Sequence, residues 1–137
     1  MDEIDRRILH LLSTNARATV KEIARNVSLT SPAVSERIRR LEKSGVIAGY
    51  TVRLSPEESR GSVRAIISIY VPPSHREEFT RFLEAEPAVE ECYQVTGQQS
   101  HMMKVRCPNI AALNVLINSL QKQGQTNTQI ILSNVTG

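Results

Sequence analysis

Tryptophan is absent from these 137 residues, and two phenylalanines and three tyrosines are the whole aromatic complement. Any core must therefore be largely aliphatic. Cysteine is scarce as well. Cys92 and Cys107 are too few for a disulfide framework and lack the spacing of a metal site. Their expected role is that of small buried hydrophobes in a reducing compartment. No apolar run approaches the roughly 20 residues that a membrane span requires, so no membrane partner is expected. Met1 leads straight into Asp-Glu-Ile-Asp, which has no signal-peptide character, and a cytoplasmic protein is expected. The sequence shows no nucleophile–base pair, metal-ligating cluster or glycine-rich phosphate loop. No enzyme activity, catalytic residue, metal or cofactor is expected. Internal repeats and low-complexity tracts are also missing.

What is present is an uneven distribution of charge. Residues 1–53 carry ten Lys/Arg against six Asp/Glu, whereas residues 54–137 carry seven against eight. A basic first half joined to a nearly neutral second half suggests a polyanion binder fused to another module.

The first half reads as three helices. Residues 2–12 place Ile4, Ile8, Leu11 and Leu12 on one stripe, with Asp2, Glu3 and Asp5 where a helix dipole favours negative charge. Thr19-Val20-Lys21-Glu22 matches a capping box ahead of a second helix with Val20, Ile23, Ala24 and Val27 inward. After the short link Ser28-Leu29-Thr30, a third helix puts Val34, Ile38 and Leu41 on its back. Ser31 is the expected N-cap, Pro32 the expected first helical residue, and Gly45 the left-handed terminator. Two helices joined this tightly form a helix-turn-helix, at about 20–27 and 31–44, with the first helix closing the core. The outer face of the third helix suits a DNA major groove. Arg37, Arg39, Arg40 and Lys43 are the candidates for phosphates, although Arg37 can instead brace the domain internally. Ser31, Ser35, Glu36 and Arg39 are the candidates for base edges, flanked by Thr30 and Pro32 at the helix start. Arg17 and Thr19 lie near enough to the second helix's start to touch the DNA backbone, although capping alone accounts for Thr19.

Residues 47–54 turn extended, and Thr51, Val52 and Leu54 favour a strand. Residues 55–61 are polar and rich in breakers, as a linker would be. Residues 62–137 then alternate: a strand at 63–71, a helix at 74–85 with Phe79, Phe82 and Leu83 inward, and strands at 89–96 and 101–107. A helix at 109–121 follows, with Ile110, Leu113, Ile117 and Leu120 inward, and a last strand spans 126–135. The order βαββαβ is the ferredoxin-like split motif, two helices on one face of an antiparallel sheet. A hairpin centred on Gln99 and Ser100 would set Cys92 opposite Cys107, within reach of a disulfide.

Several stretches together resemble the Lrp/AsnC, or feast/famine, transcriptional regulators. They are Asp2-Glu-Ile-Asp-Arg-Arg-Ile-Leu, Asn15-Ala-Arg, Glu22-Ile-Ala, Val34-Ser-Glu-Arg-Ile-Arg-Arg-Leu-Glu and Gly45-Val-Ile-Ala-Gly-Tyr. The resemblance implies an α+β protein, with a winged helix-turn-helix domain at 1–54 and a ferredoxin-like (RAM/ACT-like) sensing and oligomerisation domain at 62–137. It implies a homodimer, with tetramers or octamers built from it, double-stranded DNA as partner, and residues 50–54 packed on the partner chain. It also implies an amino-acid effector at the loop Gly97-Gln98-Gln99-Ser100-His101. Family loops commonly carry a carboxylate where Ser100 stands, and a serine offers only a neutral hydrogen bond. From its residues alone the loop reads equally as a plain hairpin turn with Gly97 left-handed. Two other functions fit the same architecture: a sirohaem-decarboxylase-like enzyme, and a sensing or assembly module without DNA binding.

Overall fold

The computed structural model describes residues 1–55 and 61–136. The chain divides between Arg53 and Leu54 into two compact units. Most of the linker expected at 55–61, residues 56–60, lies outside the described residues, as does Gly137.

The first unit holds α1 (Glu3–Thr14), α2 (Val20–Val27) and α3 (Ser31–Lys43). Its core is Ile8 from α1, Ile23, Ala24 and Val27 from α2, and Val34 and Leu41 from α3. All six are aliphatic, and large ones such as Ile8, fully buried, each contribute about 1.5–3 kcal/mol by leaving water. Ser28 caps α2 in the left-handed region at φ 56°, which lets the chain reverse into α3 within three residues. Past Gly45, at φ 78°, residues 48–55 form no strand. Thr51, Val52 and Leu54 favour a strand but have no neighbouring strand to pair with among the described residues, and composition alone does not make a ladder. Val52 and Leu54 are 77% and 71% exposed. The unit is thus three helices and an irregular tail, without a paired wing among the described residues.

The second unit holds β1 (Val63–Tyr70), α4 (Arg76–Glu84) after a 3-10 turn at Pro73–His75, β2 (Val89–Gln94), β3 (His101–Cys107), α5 (Ile110–Gln121) and β4 (Gln125–Ile130). The four strands form one antiparallel sheet in the order β2-β3-β1-β4, the arrangement expected of the split motif. Ala65, Ile67 and Ile69 of β1 and Met103, Val105 and Cys107 of β3 alternate onto the helix side. There they pack with Phe79 of α4 and Leu113, Leu116 and Leu120 of α5. Two expectations change here. Leu116 replaces Ile110 in the α5 core stripe, and Ile110 is 57% exposed. The ladder of β4 ends at Ile130, several residues before the expected end at 135.

The β2–β3 register also differs from the expected hairpin. Cys92 pairs with Met103 and Gln94 with His101, after an irregularity between Val89 and Glu91. Val95 N–H donates to Ser100 O at 2.8 Å, so the connection spans 95–100 and is longer than a tight two-residue turn. Cys107 instead faces Val63 of β1. The two cysteines are not opposed, and both are free thiols.

Candidate functional site

The outward face of α3 is prepared by its N-terminus. Thr30 is the N-cap: its backbone is extended, and its hydroxyl accepts from Ala33 N–H at 3.3 Å. Ser31, the expected cap, is the first helical residue, and Pro32 follows it. Proline costs little there, because the first four amides of a helix lack intrahelical acceptors. Capping by Thr30 leaves the Ser31 hydroxyl free for an external partner. Val34 and Leu41 are buried on the back, with Ile38 half-buried. Thr30, Ser31, Pro32, Ser35, Glu36, Arg39, Arg40 and Lys43 are all exposed, so one continuous surface gathers every candidate on this helix except Arg37.

Arg37 turns inward. One terminal nitrogen, Nη1, donates to Asp2 Oδ2 at 2.7 Å and to Asp5 Oδ1 at 2.8 Å, and its side chain is only 20% exposed. Asp2 and Asp5 themselves close a capping box at the start of α1: each carboxylate accepts the other residue's backbone N–H, at 2.8 and 3.1 Å. Two carboxylates this close repel, and the shared guanidinium holds them together. The amide of Asp5, then Arg37, holds the Asp2 carboxyl down at about 2, and Arg37, then the amide of Asp2, lowers that of Asp5. Both pairings hold the Arg37 cation above its ordinary value. The structure thus places Arg37 in the internal alternative of the sequence reading, with its Nη1 held by two carboxylates rather than presented with the exposed face of α3. Nothing in the sequence announces a second brace: Arg7 of α1 donates to the Asn26 carbonyl near the end of α2 at 2.8 Å.

The remaining charges on α3 differ in what they touch. Glu36 and Arg39, one turn apart, form an ion pair whose side chains stay 50% and 73% exposed. Arg39, and more weakly Arg40 and Lys43, lower the Glu36 carboxyl. Arg40 and Lys43 have no ion-pair partner among the described residues. Glu42 accepts from the Tyr50 hydroxyl at 2.8 Å, tying the segment after α3 back onto the helix. Thr19 caps α2 in its box with Glu22, and Arg17 is exposed.

In the second unit, Gly97 and Gln98 lie exposed at the tip of the β2–β3 loop. Ser100 is buried, and its hydroxyl is fully committed. It accepts from Val71 N–H at 2.8 Å and lies 3.2 Å from Ile69 O and 2.8 Å from His101 Nδ1. With a proton on Nδ1, the histidine donates to Oγ and the hydroxyl donates to Ile69 O, which satisfies Oγ and Nδ1 together. His101 packs edge-on against Phe79, with ring centroids 5.0 Å apart, and burial, then Arg76, lowers its basicity. Gln99 Oε1 is buried without a hydrogen-bond partner among the described residues. Of these two neighbours it is Gln99 Oε1, not the Ser100 hydroxyl, that is left uncommitted.

Among the described residues, no group of three or more His, Cys, Asp or Glu side chains could hold a metal, and no helix is long and apolar enough to cross a membrane.

Residues 1–42 match the AsnC-type helix-turn-helix domain, and residues 64–136 match the Lrp/AsnC ligand binding domain. The HTH-type transcriptional regulator LrpC of Bacillus subtilis is 30% identical over 135 residues, spanning 98% of this chain and 94% of that protein. Its solved structure superposes with a TM-score of 0.87, covering 98% of this chain and 96% of that one. A feast or famine regulatory protein from Mycobacterium tuberculosis, solved in complex with L-methionine, is 34% identical with a TM-score of 0.88, covering 98% and 93%. A transcriptional regulator from Neisseria meningitidis, also solved with L-methionine, is 26% identical with a TM-score of 0.87, covering 98% and 92%.

Proposed function

The chain belongs to the Lrp/AsnC family of transcriptional regulators, and from that membership we propose how its surfaces divide the work of a DNA-binding regulator. Residues 1–54 form the DNA-binding unit, and α3 enters the major groove. Arg40 and Lys43 attract phosphates. Ser31, Ser35, Glu36 and Arg39 face base edges, while Thr30 and Pro32 set the close approach of the helix start. Residues 62–137, joined through 55–61, form the sensing and assembly unit. The observation that carries this reading is the state of α3. Its apolar back is buried, and its exposed face presents Arg40 and Lys43 without ion-pair partners among the described residues.

One such helix offers few contacts. A homodimer, or a tetramer or octamer built from it, presents several copies to one duplex and converts weak half-site binding into useful affinity. An amino acid acts as effector at the β2–β3 loop, a reading supported by the two relatives solved with L-methionine. With Ser100 committed to the fold, Gln99 and the tip at Gly97 and Gln98 are the groups left to meet it, with His101 behind them. Such a regulator works in the cytoplasm, where the DNA is. The relatives from all three organisms are named as regulators, which favours this reading over an enzyme of the same architecture.

The test is retention of a labelled, randomised 30-base-pair duplex pool across a salt series, with and without L-methionine. Wild-type binding falls steeply with salt. Replacing Arg40 and Lys43 by glutamine lowers the log–log salt slope by about 0.9 for each phosphate no longer neutralised. Absence of binding at low salt, or an unchanged slope in the double variant, overturns the assignment. A retention curve that L-methionine does not shift removes L-methionine as effector.

A further inference from the structure

The exposed face of α3 carries one feature that simple polyanion binding does not explain. Glu36 places a carboxylate in the middle of the surface that meets the phosphates. There it is paired with Arg39 and cancels that residue's charge. A polyanion surface repels such a group at every position unless a hydrogen-bond donor meets it. In the major groove the donors are exocyclic amines, and the cytosine N4 amine pairs well with a carboxylate. Arg39 matches the complementary feature, the O6/N7 edge of guanine. Three residues advance about 4.5 Å along a helix, close to the roughly 3.4 Å step between base pairs. The two side chains therefore reach the same base pair or adjacent ones.

We propose that the Glu36–Arg39 pair is an exchangeable specificity element: closed on itself over mixed-sequence DNA, and opened over a G·C-containing operator step. There Glu36 accepts from cytosine N4 and Arg39 donates to guanine. This rests on the reading of α3 as the groove-entering helix. In the closed state the pair adds no net charge, and phosphate attraction falls to Arg40 and Lys43. In the open state each member exchanges its partner for a base edge, so neither is left desolvated and unpaired. Glu36 thus weakens binding to the wrong sequence and strengthens it to the right one, and only the second effect depends on the bases present. Both side chains lie on the surface and far from the aliphatic core, so the pair contributes little to folding.

The experiment is selection from the randomised 30-base-pair duplex pool with wild type, E36Q and E36D, together with salt-series retention of mixed-sequence duplex. Circular dichroism confirms folding of each variant. The wild type enriches a consensus with an invariant cytosine or its paired guanine, and substitution there costs roughly ten- to hundredfold in affinity. E36Q releases Arg39: mixed-sequence affinity rises several-fold, the salt slope steepens by about 0.9 per protomer, and the cytosine position becomes degenerate. E36D keeps the charge with a shorter reach, so it loses that preference without gaining mixed-sequence affinity. An E36Q consensus identical to the wild type's, or weaker mixed-sequence binding, overturns the proposal. If the wild type retains no duplex at low salt, the groove-entering helix itself is wrong, a failure distinct from an unaltered consensus.

Discussion

Replacing Ser100 by alanine separates a loop residue that holds the fold from one that waits for a ligand. The substitution deletes one oxygen and leaves the backbone intact. Ser100 N–H still donates to Ile69 O at 3.0 Å, and Ser100 O still accepts from Val95 N–H at 2.8 Å. What disappears is the acceptor for Val71 N–H, whose residue is fully buried immediately after β1. An orphaned buried amide costs about 1–3 kcal/mol. His101 loses its Nδ1 partner as well, although that ring is less deeply buried. A central figure of about 2 kcal/mol lowers the melting temperature of a unit of this size by roughly 8–16 °C. The assay is calorimetric unfolding at fixed protomer concentration, since assembly itself shifts the apparent stability. The second unit's transition should move while the first unit's stays in place. A fall under about 2 °C in both, accompanied by loss of L-methionine binding heat, would show that the hydroxyl serves a ligand and that the amide finds another acceptor.

Two further perturbations follow from the same bonding. Acid should weaken the first unit. The Asp2 and Asp5 carboxyls are lowered in the folded chain, below the roughly 3.9 of a free aspartate. Their stabilisation is therefore fully present above about pH 4 and is lost as pH falls through the folded values, near 2 for Asp2. Proton resonance titration of the helix signals should show this, and R37Q should raise both carboxyls and move the acid transition upward. At the other end of the chain, a Cβ added to Gly124 would sit 1.9 Å from the Tyr70 carbonyl oxygen, closer than any real contact. G124A should force β4 away from β1 and cost about 1–3 kcal/mol. An unchanged denaturation midpoint would refute that clash.

The fold was legible where neighbours in sequence determine it. The Thr19–Glu22 box, the Val34–Leu41 stripe and the β-branched run of β1 each declare themselves within one or two turns of chain. Partners remote in sequence did not declare themselves. Helical spacing left Arg37 open to either phosphates or an internal brace, because Asp2 and Asp5 lie 35 and 32 positions away. The one local signal for that brace was Asp-x-x-Asp ahead of an apolar run, a capping box whose two acids call for a cation. Hairpin register failed for a related reason: the irregularity near Val89 and the longer 95–100 connection shift every pairing. Residues 51–54 have strand composition, but a strand also needs a neighbour, which composition cannot supply. The rotation of α5 about its axis is set by packing on the sheet, so Leu116 rather than Ile110 turned inward. At the candidate site, residue types were legible but their commitments were not. Nothing in the sequence separated the Ser100 hydroxyl, used up by the fold, from the Gln99 carboxamide beside it.

These commitments constrain how the regulator must work. Of the four cations on α3, Arg37 is spent on α1 and Arg39 is matched by Glu36, so under the proposed reading the helix would bring two unmatched charges to the duplex. Neutralising two phosphates supplies a salt slope of only about 2, far short of tight binding by this helix alone. Specific proteins gain their affinity by engaging several half-sites through one assembly, where the second half-site is met at high effective concentration. If α3 is the reading helix, as proposed, its weak charge would make affinity depend on assembly. An effector that changes the assembly of the second unit can then change DNA occupancy without touching a base-reading residue, provided that it binds one assembly state more tightly than the other.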